Sequence, residues 1–179
     1  MLKTENCVLL VVDVQERLVA AMENKIDFLR NLLSCIKGAE ILGLPILWTE
    51  QVPEKIGKTI PEVADLLKKH TPIKKISFSC YRNSDFLKAF KKLKRKQVLI
   101  VGIEAHVCVY QTAQDLLAAG CEVLVVADAV SSRTLRNRDL GFERIKTIGG
   151  SLSSVEMALC ELLRTATGEK FKQILSLIK

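Results

Sequence analysis

The chain contains 179 residues, of which 49% are hydrophobic, and it carries a formal net charge of +7. This length fits a single domain over residues 1–179, with enough apolar side chains for a full core. No uncharged apolar run is long enough to cross a membrane, and the first residues meet polar and charged side chains too early for a signal peptide. The six cysteines are spread through apolar segments, which indicates a reducing compartment. We therefore expect a cytoplasmic protein that has no membrane partner.

Short apolar runs alternate along the chain with segments of helical periodicity. The runs at 8–12, 46–49, 98–101 and 123–127 predict buried strands, with shorter candidates near 74–75 and at 150–152. Helices are predicted at about 27–42, 61–69, 85–94, 108–119, 138–148, 154–164 and 171–178. Ser153 and Glu156 have the spacing of a capping box at the start of one of these helices. The alternation predicts a parallel sheet with helices on both faces.

The densest basic segment is KAFKKLKRKQ at 88–97. Phe90 and Leu93 lie three residues apart within it, as on the buried edge of a surface helix. Its one aromatic residue, Phe90, falls on that buried edge, so no aromatic side chain remains among the lysines for stacking on bases. The segment therefore predicts a solvated helix face, and we expect no specific nucleic-acid partner.

The segment QVLIVGIEAHVCVYQT at 97–112 places Cys108 between a buried strand and a predicted helix. A helix N-terminus favours thiolate over thiol, so Cys108 is a candidate nucleophile, while a buried cysteine can also serve only in packing. Asp13 ends the first strand, as either a helix cap or an acid–base group. Ligands bind at the carboxyl edge of parallel strands, where both residues are expected. A lysine at 74 or 75 could stabilise a thiolate, and the spacing does not decide between Lys74 and Lys75.

Further residues near the same edge are candidate substrate contacts. They are Gln15, Trp48, Gln51, Phe78, Tyr81 and His106, although Trp48, Phe78 and Tyr81 are as well suited to the core and His106 to a loop. The two histidines have no other metal ligand at a suitable spacing, so no zinc site is predicted. The chain has no dinucleotide fingerprint and no complete phosphate loop. We expect neither a metal nor another cofactor.

Several segments together resemble the isochorismatase-like cysteine hydrolases, in particular the isochorismatase domain-containing subgroup. These segments are LLVVDVQERL, WTEQVPEKIGKTIPE, KISFS, GIEAHVCVYQTAQDLL and VVADAVSSR. The resemblance implies a three-layer α/β/α Rossmann-like sandwich with a central, mostly parallel six-stranded sheet. It also implies a catalytic triad of Asp13, Lys75 and Cys108, with Lys75 preferred to Lys74.

The resemblance further implies a non-proline cis peptide bond between Ile103 and Glu104. The backbone N–H groups of Glu104 and Cys108 would then form an oxyanion hole. The implied partners are a small-molecule substrate and other copies of the chain in a homo-oligomer.

The implied activity is hydrolysis of a small amide or carbamoyl compound through a thioester on Cys108. The Asp-x-His motif with which nicotinamidases bind a metal is absent after the second strand, so a metal-independent reaction is expected. Two alternatives remain open at this point. One is hydrolysis of an isochorismate-type vinyl ether, and the other is a binding or regulatory module that retains the triad without using it.

Overall fold

A computed structural model describes residues 1–179 and contains one six-stranded sheet. The strands are β1 (Cys7–Val12), β2 (Ile46–Gln51), β3 (Ile73–Lys75), β4 (Gln97–Ile103), β5 (Glu122–Ser131) and β6 (Ser151–Ser153). Their order across the sheet is β3-β2-β1-β4-β5-β6, and every neighbouring pair is parallel. All six strands therefore end at the same edge of the sheet.

Nine α-helices cover the two faces of the sheet. They are α1 (Glu16–Ala20), α2 (Lys25–Leu42), α3 (Pro53–Ile56), α4 (Pro61–Leu66), α5 (Ser84–Leu93), α6 (Tyr110–Ala118), α7 (Leu135–Thr147), α8 (Val155–Leu163) and α9 (Glu169–Ile178). One apolar cluster packs α2, α4, α8 and α9 on one face, and a second packs α5, α6 and α7 on the other. The predicted three-layer α/β/α fold is confirmed. No helix combines the length and the apolar character that a membrane span requires.

The central strand β1 shows why this sequence folds as a layered sandwich. All six residues of CVLLVV are buried. Leu9 and Val11 join the core beneath α2, whereas Val8, Leu10 and Val12 join the core beneath α5 and α6. Side chains alternate between the two faces of a strand, so a continuous apolar run is stable only where both faces are covered.

The boundaries differ from the sequence prediction where short elements occur. The short helices α1 and α3 were not predicted, because each offers too few residues for helical periodicity. The predicted capping box at Ser153 is wrong, since β6 continues through Ser153 and the helix begins later. Ser154 caps α8 instead, and its Oγ accepts a hydrogen bond of 3.1 Å from the Met157 N–H.

Gly102 lies at the closest approach of β4 to β1. Its φ angle is +110°, and a Cβ atom there would clash with the Val12 carbonyl oxygen and lie 2.7 Å from the Val12 nitrogen. The register between β4 and β5 shifts at the same place. Gly120 also has a positive φ of +80°, but no atom lies within 4 Å of its added Cβ.

The Gly102→Ala substitution is expected to cost much more stability than Gly120→Ala. Both introduce a side chain at positive φ, which costs about 1 kcal/mol. Only Gly102→Ala adds a clash with backbone, for which we expect a further loss of about 1–3 kcal/mol. Urea unfolding of the two variants and the wild type measures the difference, and equal losses would contradict the close approach of β4 to β1.

Candidate active site

Asp13 lies immediately beyond β1, where the chain leaves the sheet. Its φ of +50° belongs to the left-handed region, and its N–H donates to the Thr49 carbonyl oxygen at 3.2 Å. The carboxylate is fully buried and is held from both sides. Oδ1 accepts a 2.7 Å hydrogen bond from the Thr49 hydroxyl, and Oδ2 lies 2.7 Å from Lys75 Nζ.

Lys75 ends the short strand β3 and points inward. Its side chain has no exposed surface, and its ammonium donates to Asp13, to Gln51 Oε1 at 2.6 Å, and to the carbonyl oxygens of Ser77 and Phe78 at 3.2 and 3.0 Å. Burial alone lowers the pKa of Lys75, but the Asp13 carboxylate opposes that effect and the net shift is upward. Lys75 is therefore a fixed cation at neutral pH.

Cys108 Sγ lies 3.7 Å from Lys75 Nζ. The residue is 6% exposed and belongs to a π-helical turn, Ala105–Val109, that precedes α6. Burial and then the Asp13 carboxylate raise the pKa of the thiol, while Lys75 lowers it, and the net direction is well above the ordinary value. Burial and the neighbouring carboxylate thus favour the neutral thiol in the resting site, opposite to the thiolate expected from the sequence.

The sheet order brings the three side chains together from distant parts of the sequence. Asp13, Lys75 and Cys108 follow or end β1, β3 and β4, all at the carboxyl edge. Lys74 points away from this edge, and its ammonium pairs with Glu54 at 3.6 Å on the surface. The structure thus selects Lys75 as the lysine that contacts Asp13.

The turn between β4 and α6 carries Cys108 and follows an unusual peptide bond. The peptide bond between Ile103 and Glu104 is cis. The Glu104 carbonyl oxygen accepts from the N–H groups of Val107 and Val109 at 3.1 and 3.2 Å, while no acceptor is found for the Glu104 N–H itself. That N–H therefore has no hydrogen-bond partner within the protein.

Gln15 and Gln51 lie beside the triad, but both amides are already engaged. Gln15 donates to the carbonyl oxygens of Gln51 and Gly57 at 3.0 and 2.6 Å, and its Oε1 accepts from the Gln51 N–H at 2.7 Å. The Gln51 side chain joins Lys75 Nζ to the Ile76 carbonyl oxygen. The two glutamines position Lys75, and of their side-chain N–H donors one, on Gln51 Nε2, has no partner in the protein.

The other four predicted contact residues lie in different surroundings. Trp48 is 6% exposed and packs in the apolar core on the opposite face of the sheet from Cys108. Tyr81 packs edge-on against Phe90 with ring centroids 6.4 Å apart. Phe78 is 52% exposed, and its own backbone carbonyl oxygen accepts a hydrogen bond from Lys75 Nζ. His106 Nδ1 lies 3.1 Å from Ser132 Oγ. Phe78 and His106 are thus the two that remain beside the triad.

Three further side-chain contacts near the site were not expected from the sequence. Thr49 fixes the Asp13 carboxylate, and its hydroxyl also lies 3.7 Å from Sγ of the buried Cys80, whose pKa burial raises to about 11. Glu104 Oε2 accepts hydrogen bonds from the Arg133 backbone N–H at 3.2 Å and from its side-chain Nε at 3.0 Å, and these bonds hold the guanidinium in place. The two terminal NH₂ groups of Arg133 have no partner in the protein. Only the pairing of strands reveals these contacts, since each joins residues far apart in sequence.

Gly141 on α7 allows the turn that carries Cys108 to be packed tightly. A Cβ atom at this position would lie 2.8 Å from the Ala105 carbonyl group and 2.9 Å from the His106 nitrogen. No other residue would let α7 approach the backbone of this turn so closely without a shift. Gly141 therefore supports the position of the thiol from outside the site.

No three His, Cys, Asp or Glu side chains are grouped where they could hold a metal ion. Both oxygens of the Asp13 carboxylate are occupied by the Thr49 hydroxyl and the Lys75 ammonium. A cation could reach Asp13 only by displacing Lys75.

Similarity to known proteins extends over most of the chain. The isochorismatase domain family matches residues 7–157 of the chain. The chain belongs to this family. Isochorismatase domain-containing protein 2 of Danio rerio is 36% identical over 178 residues, which cover 99% of this chain and 89% of that protein.

Solved structures of isochorismatase-like proteins superpose closely on the chain. The MAR1 ribonuclease of Caenorhabditis elegans gives a TM-score of 0.92 at 35% identity and covers 99% of this chain and 91% of its own. YcaC of Pseudomonas aeruginosa, with hexane-2,5-diol and covalent acrylamide, gives 0.93 at 27% identity, with coverages of 98% and 90%. YcaC of Escherichia coli, described as an octameric hydrolase of unknown specificity, gives 0.93 at 25% identity, with coverages of 98% and 89%. The family is thus one of isochorismatase-like hydrolases.

Removing the charge of Lys75 is expected to destabilise this isochorismatase-domain protein strongly. Lys75→Met leaves the Asp13 carboxylate buried without its cation, which costs about 3–5 kcal/mol. Lys74→Met is the matched control, because its side chain is 65% exposed and its pairing with Glu54 lies in solvent. The control should change the free energy of unfolding by less than about 1 kcal/mol. Urea unfolding at neutral pH tests the pair, and similar losses in both variants would contradict a buried ion pair.

Proposed function

We propose that this protein is a metal-independent cysteine hydrolase that cleaves a small amide or carbamoyl compound through an acyl-thioester intermediate. The observation that carries the proposal is the contact of a fully buried Asp13–Lys75 ion pair with the Cys108 thiol. A nucleophile, a base and a fixed cation within contact distance are the groups that acyl transfer requires. Asp13, Lys75 and Cys108 are the proposed catalytic residues.

The first half of the reaction begins from a protonated thiol. Asp13 accepts the proton of Cys108, and Lys75 stabilises the thiolate that forms. The thiolate attacks the carbonyl carbon of the substrate, and the N–H groups of Glu104 and Cys108 hold the resulting oxyanion. Asp13 then returns the proton to the leaving amine as the C–N bond breaks, which leaves the acyl group on Sγ.

The second half of the reaction consumes water. Asp13 removes a proton from a water molecule that attacks the thioester carbon, and the same N–H groups hold the second oxyanion. The C–S bond breaks, Cys108 leaves as a thiolate beside Lys75, and Asp13 returns the proton to it. The acid product departs and the enzyme is regenerated.

The proposed acyl chemistry is favoured over vinyl-ether cleavage by the position of Cys108. Hydrolysis of a vinyl ether needs a proton donor but no nucleophilic side chain. Here the thiol contacts Lys75, and the Asp13 carboxylate raises the pKa of the thiol. Phe78 and His106 are retained as proposed substrate contacts, together with the free NH₂ groups of Arg133. Gln15 and Gln51 become positioning residues, and Trp48 and Tyr81 are not retained.

We further propose that the protein acts as a cytoplasmic homo-oligomer. All six cysteines are free thiols, as expected in a reducing compartment. The YcaC relative of Escherichia coli is described as octameric. Both points support the proposal without fixing the number of subunits.

The pH dependence of Cys108 alkylation is expected to move in opposite directions in two variants. Asp13→Asn removes the negative charge that raises the pKa of the thiol, so the alkylation profile should shift to lower pH. Lys75→Met removes the charge that lowers the pKa, so the profile should shift to higher pH. The rate of iodoacetamide labelling at Cys108, followed by mass spectrometry across pH, gives both shifts.

The exposed Cys160 provides the internal reference for this experiment, because it lies away from the triad and is labelled in the same samples. Its profile should be the same in all variants. If Asp13→Asn left the Cys108 profile unchanged or moved it to higher pH, Asp13 would not act on the thiol as proposed. Circular dichroism of each variant shows that the labelled protein is folded.

A substrate panel should separate the proposed reaction from its alternatives. We expect turnover of a small amide or carbamoyl compound, with an acyl adduct on Cys108 detected by mass spectrometry after acid quenching. Cys108→Ala should abolish turnover and adduct together, whereas Cys160→Ala should retain both. Asp13→Asn should lower turnover by about 10²–10⁴-fold, since general acid–base catalysis contributes that much.

Three results would contradict amide hydrolysis. Isochorismate cleaved without an adduct on Cys108 would indicate a vinyl-ether hydrolase. A compound bound but never converted would indicate a binding or regulatory module. An RNA included in the panel, because one relative is named a ribonuclease, should remain intact, and its triad-dependent cleavage would replace the proposal.

A further inference from the structure

A cavity of about 300 Å³ lies at the opposite end of α6 from Cys108. Four cations and two aromatic rings face it: Lys91, Lys94, Arg95, Lys96, Tyr81 and Phe90. Ala119 lines it just beyond the last turn of α6, eleven residues after Cys108. At a rise of about 1.5 Å per residue, roughly 16 Å of helix separate the cavity from the thiol. The cavity is therefore distinct from the proposed active site.

The charges around this cavity are all of one sign. None of its lining residues is acidic, and the carboxylates of two residues close to the lining in sequence, Glu122 and Asp115, accept hydrogen bonds from other side chains. Glu122 accepts from the Gln97 amide, and Asp115 pairs with Arg82 at 2.8 Å on the other side of Tyr81. Four unneutralised cations around one concave surface repel one another and attract an anion.

Arg95 is held in place before any ligand binds. Its Nη1 donates to the carbonyl oxygens of Thr4 and Cys7, the latter at 2.6 Å. Its Nε and Nη2 have no partner in the protein, so a fixed guanidinium offers free donors at the cavity. A guanidinium with its geometry already set binds a phosphate or carboxylate with little further loss of entropy.

The apolar side of the cavity combines Phe90 of the basic run with Tyr81, which comes from a different segment of the chain. Phe90 is nearly buried, while Tyr81 is half-buried and packs against Phe90 at an interplanar angle of 74°. The Tyr81 hydroxyl makes no hydrogen bond within the protein. The fold thus adds to the lysines an aromatic ring that the sequence pattern alone lacks.

We propose that this cavity binds a small phosphorylated compound with a planar ring, of the size of a nucleoside monophosphate. The phosphate would contact Arg95 and the lysines, and the ring would pack on Tyr81. A cavity of this volume falls at the small end of ligand sites in proteins.

Calorimetric titration of the full chain with AMP, ribose 5-phosphate and adenosine tests the site at low ionic strength. AMP should bind more tightly than either of the others, because only AMP carries both groups. The charge reversals Lys91→Glu and Lys94→Glu, made together, should weaken AMP and ribose 5-phosphate by about tenfold or more. Tyr81→Leu should weaken AMP and leave ribose 5-phosphate unchanged.

The matched control reverses two exposed lysines elsewhere, with Lys68→Glu and Lys69→Glu, and should bind all three compounds as the wild type does. An equal loss in this control would show attraction to the net positive charge and overturn the proposal. No AMP binding at millimolar concentration would also overturn it. Ribose 5-phosphate binding as tight as AMP, with no effect of Tyr81→Leu, would overturn the requirement for a ring. The four substituted lysines are exposed, so these variants are expected to fold. Circular dichroism checks the folding of Tyr81→Leu, whose side chain is half-buried.

Discussion

The buried ion pair of Asp13 and Lys75 is the constraint from which the rest of the site follows. Moving two charges out of water costs several kcal/mol per ion, so each must find both a counter-charge and hydrogen bonds. Thr49 supplies a donor to the carboxylate, and Gln51 with two backbone carbonyls surrounds the ammonium. Gln15 in turn fixes Gln51. The polar residues at the ends of the first three strands thus serve one electrostatic requirement.

In the proposed mechanism, the same pair allows a thiol with a raised pKa to act as the nucleophile. In the resting site a carboxylate, an ammonium and a neutral thiol give no net charge. Transfer of the proton from Cys108 to Asp13 gives a carboxylic acid, an ammonium and a thiolate, which again sum to zero. Activation therefore moves a negative charge a short distance around a fixed cation, and no additional charge has to be buried.

The layered fold and the meeting of Asp13 and Cys108 could be predicted because parallel strands end at one edge and continuous apolar runs identify those strands. The choice between Lys74 and Lys75 depends on which of the two side chains faces Asp13. The strand that carries them has only three residues, which is too short for its alternation to be read from the sequence. The upward shift of the Cys108 pKa depends on a π-helical turn that buries Sγ near Asp13. The local sequence does not reveal such a turn. The placement of Tyr81 depends likewise on its packing against Phe90.

The strand order also determines when the contacts of the site can form during folding. Asp13, Lys75 and Cys108 are brought together by β3, β2, β1 and β4, so their contacts form only once the centre of the sheet is complete. Contacts of such sequence separation form late, because the closure of long loops must be offset first. A nascent or damaged chain therefore carries only an ordinary cysteine. The ion pair beside Cys108 and the raised pKa of its thiol are therefore properties of the completed sheet, and the segment around Cys108 does not produce them alone.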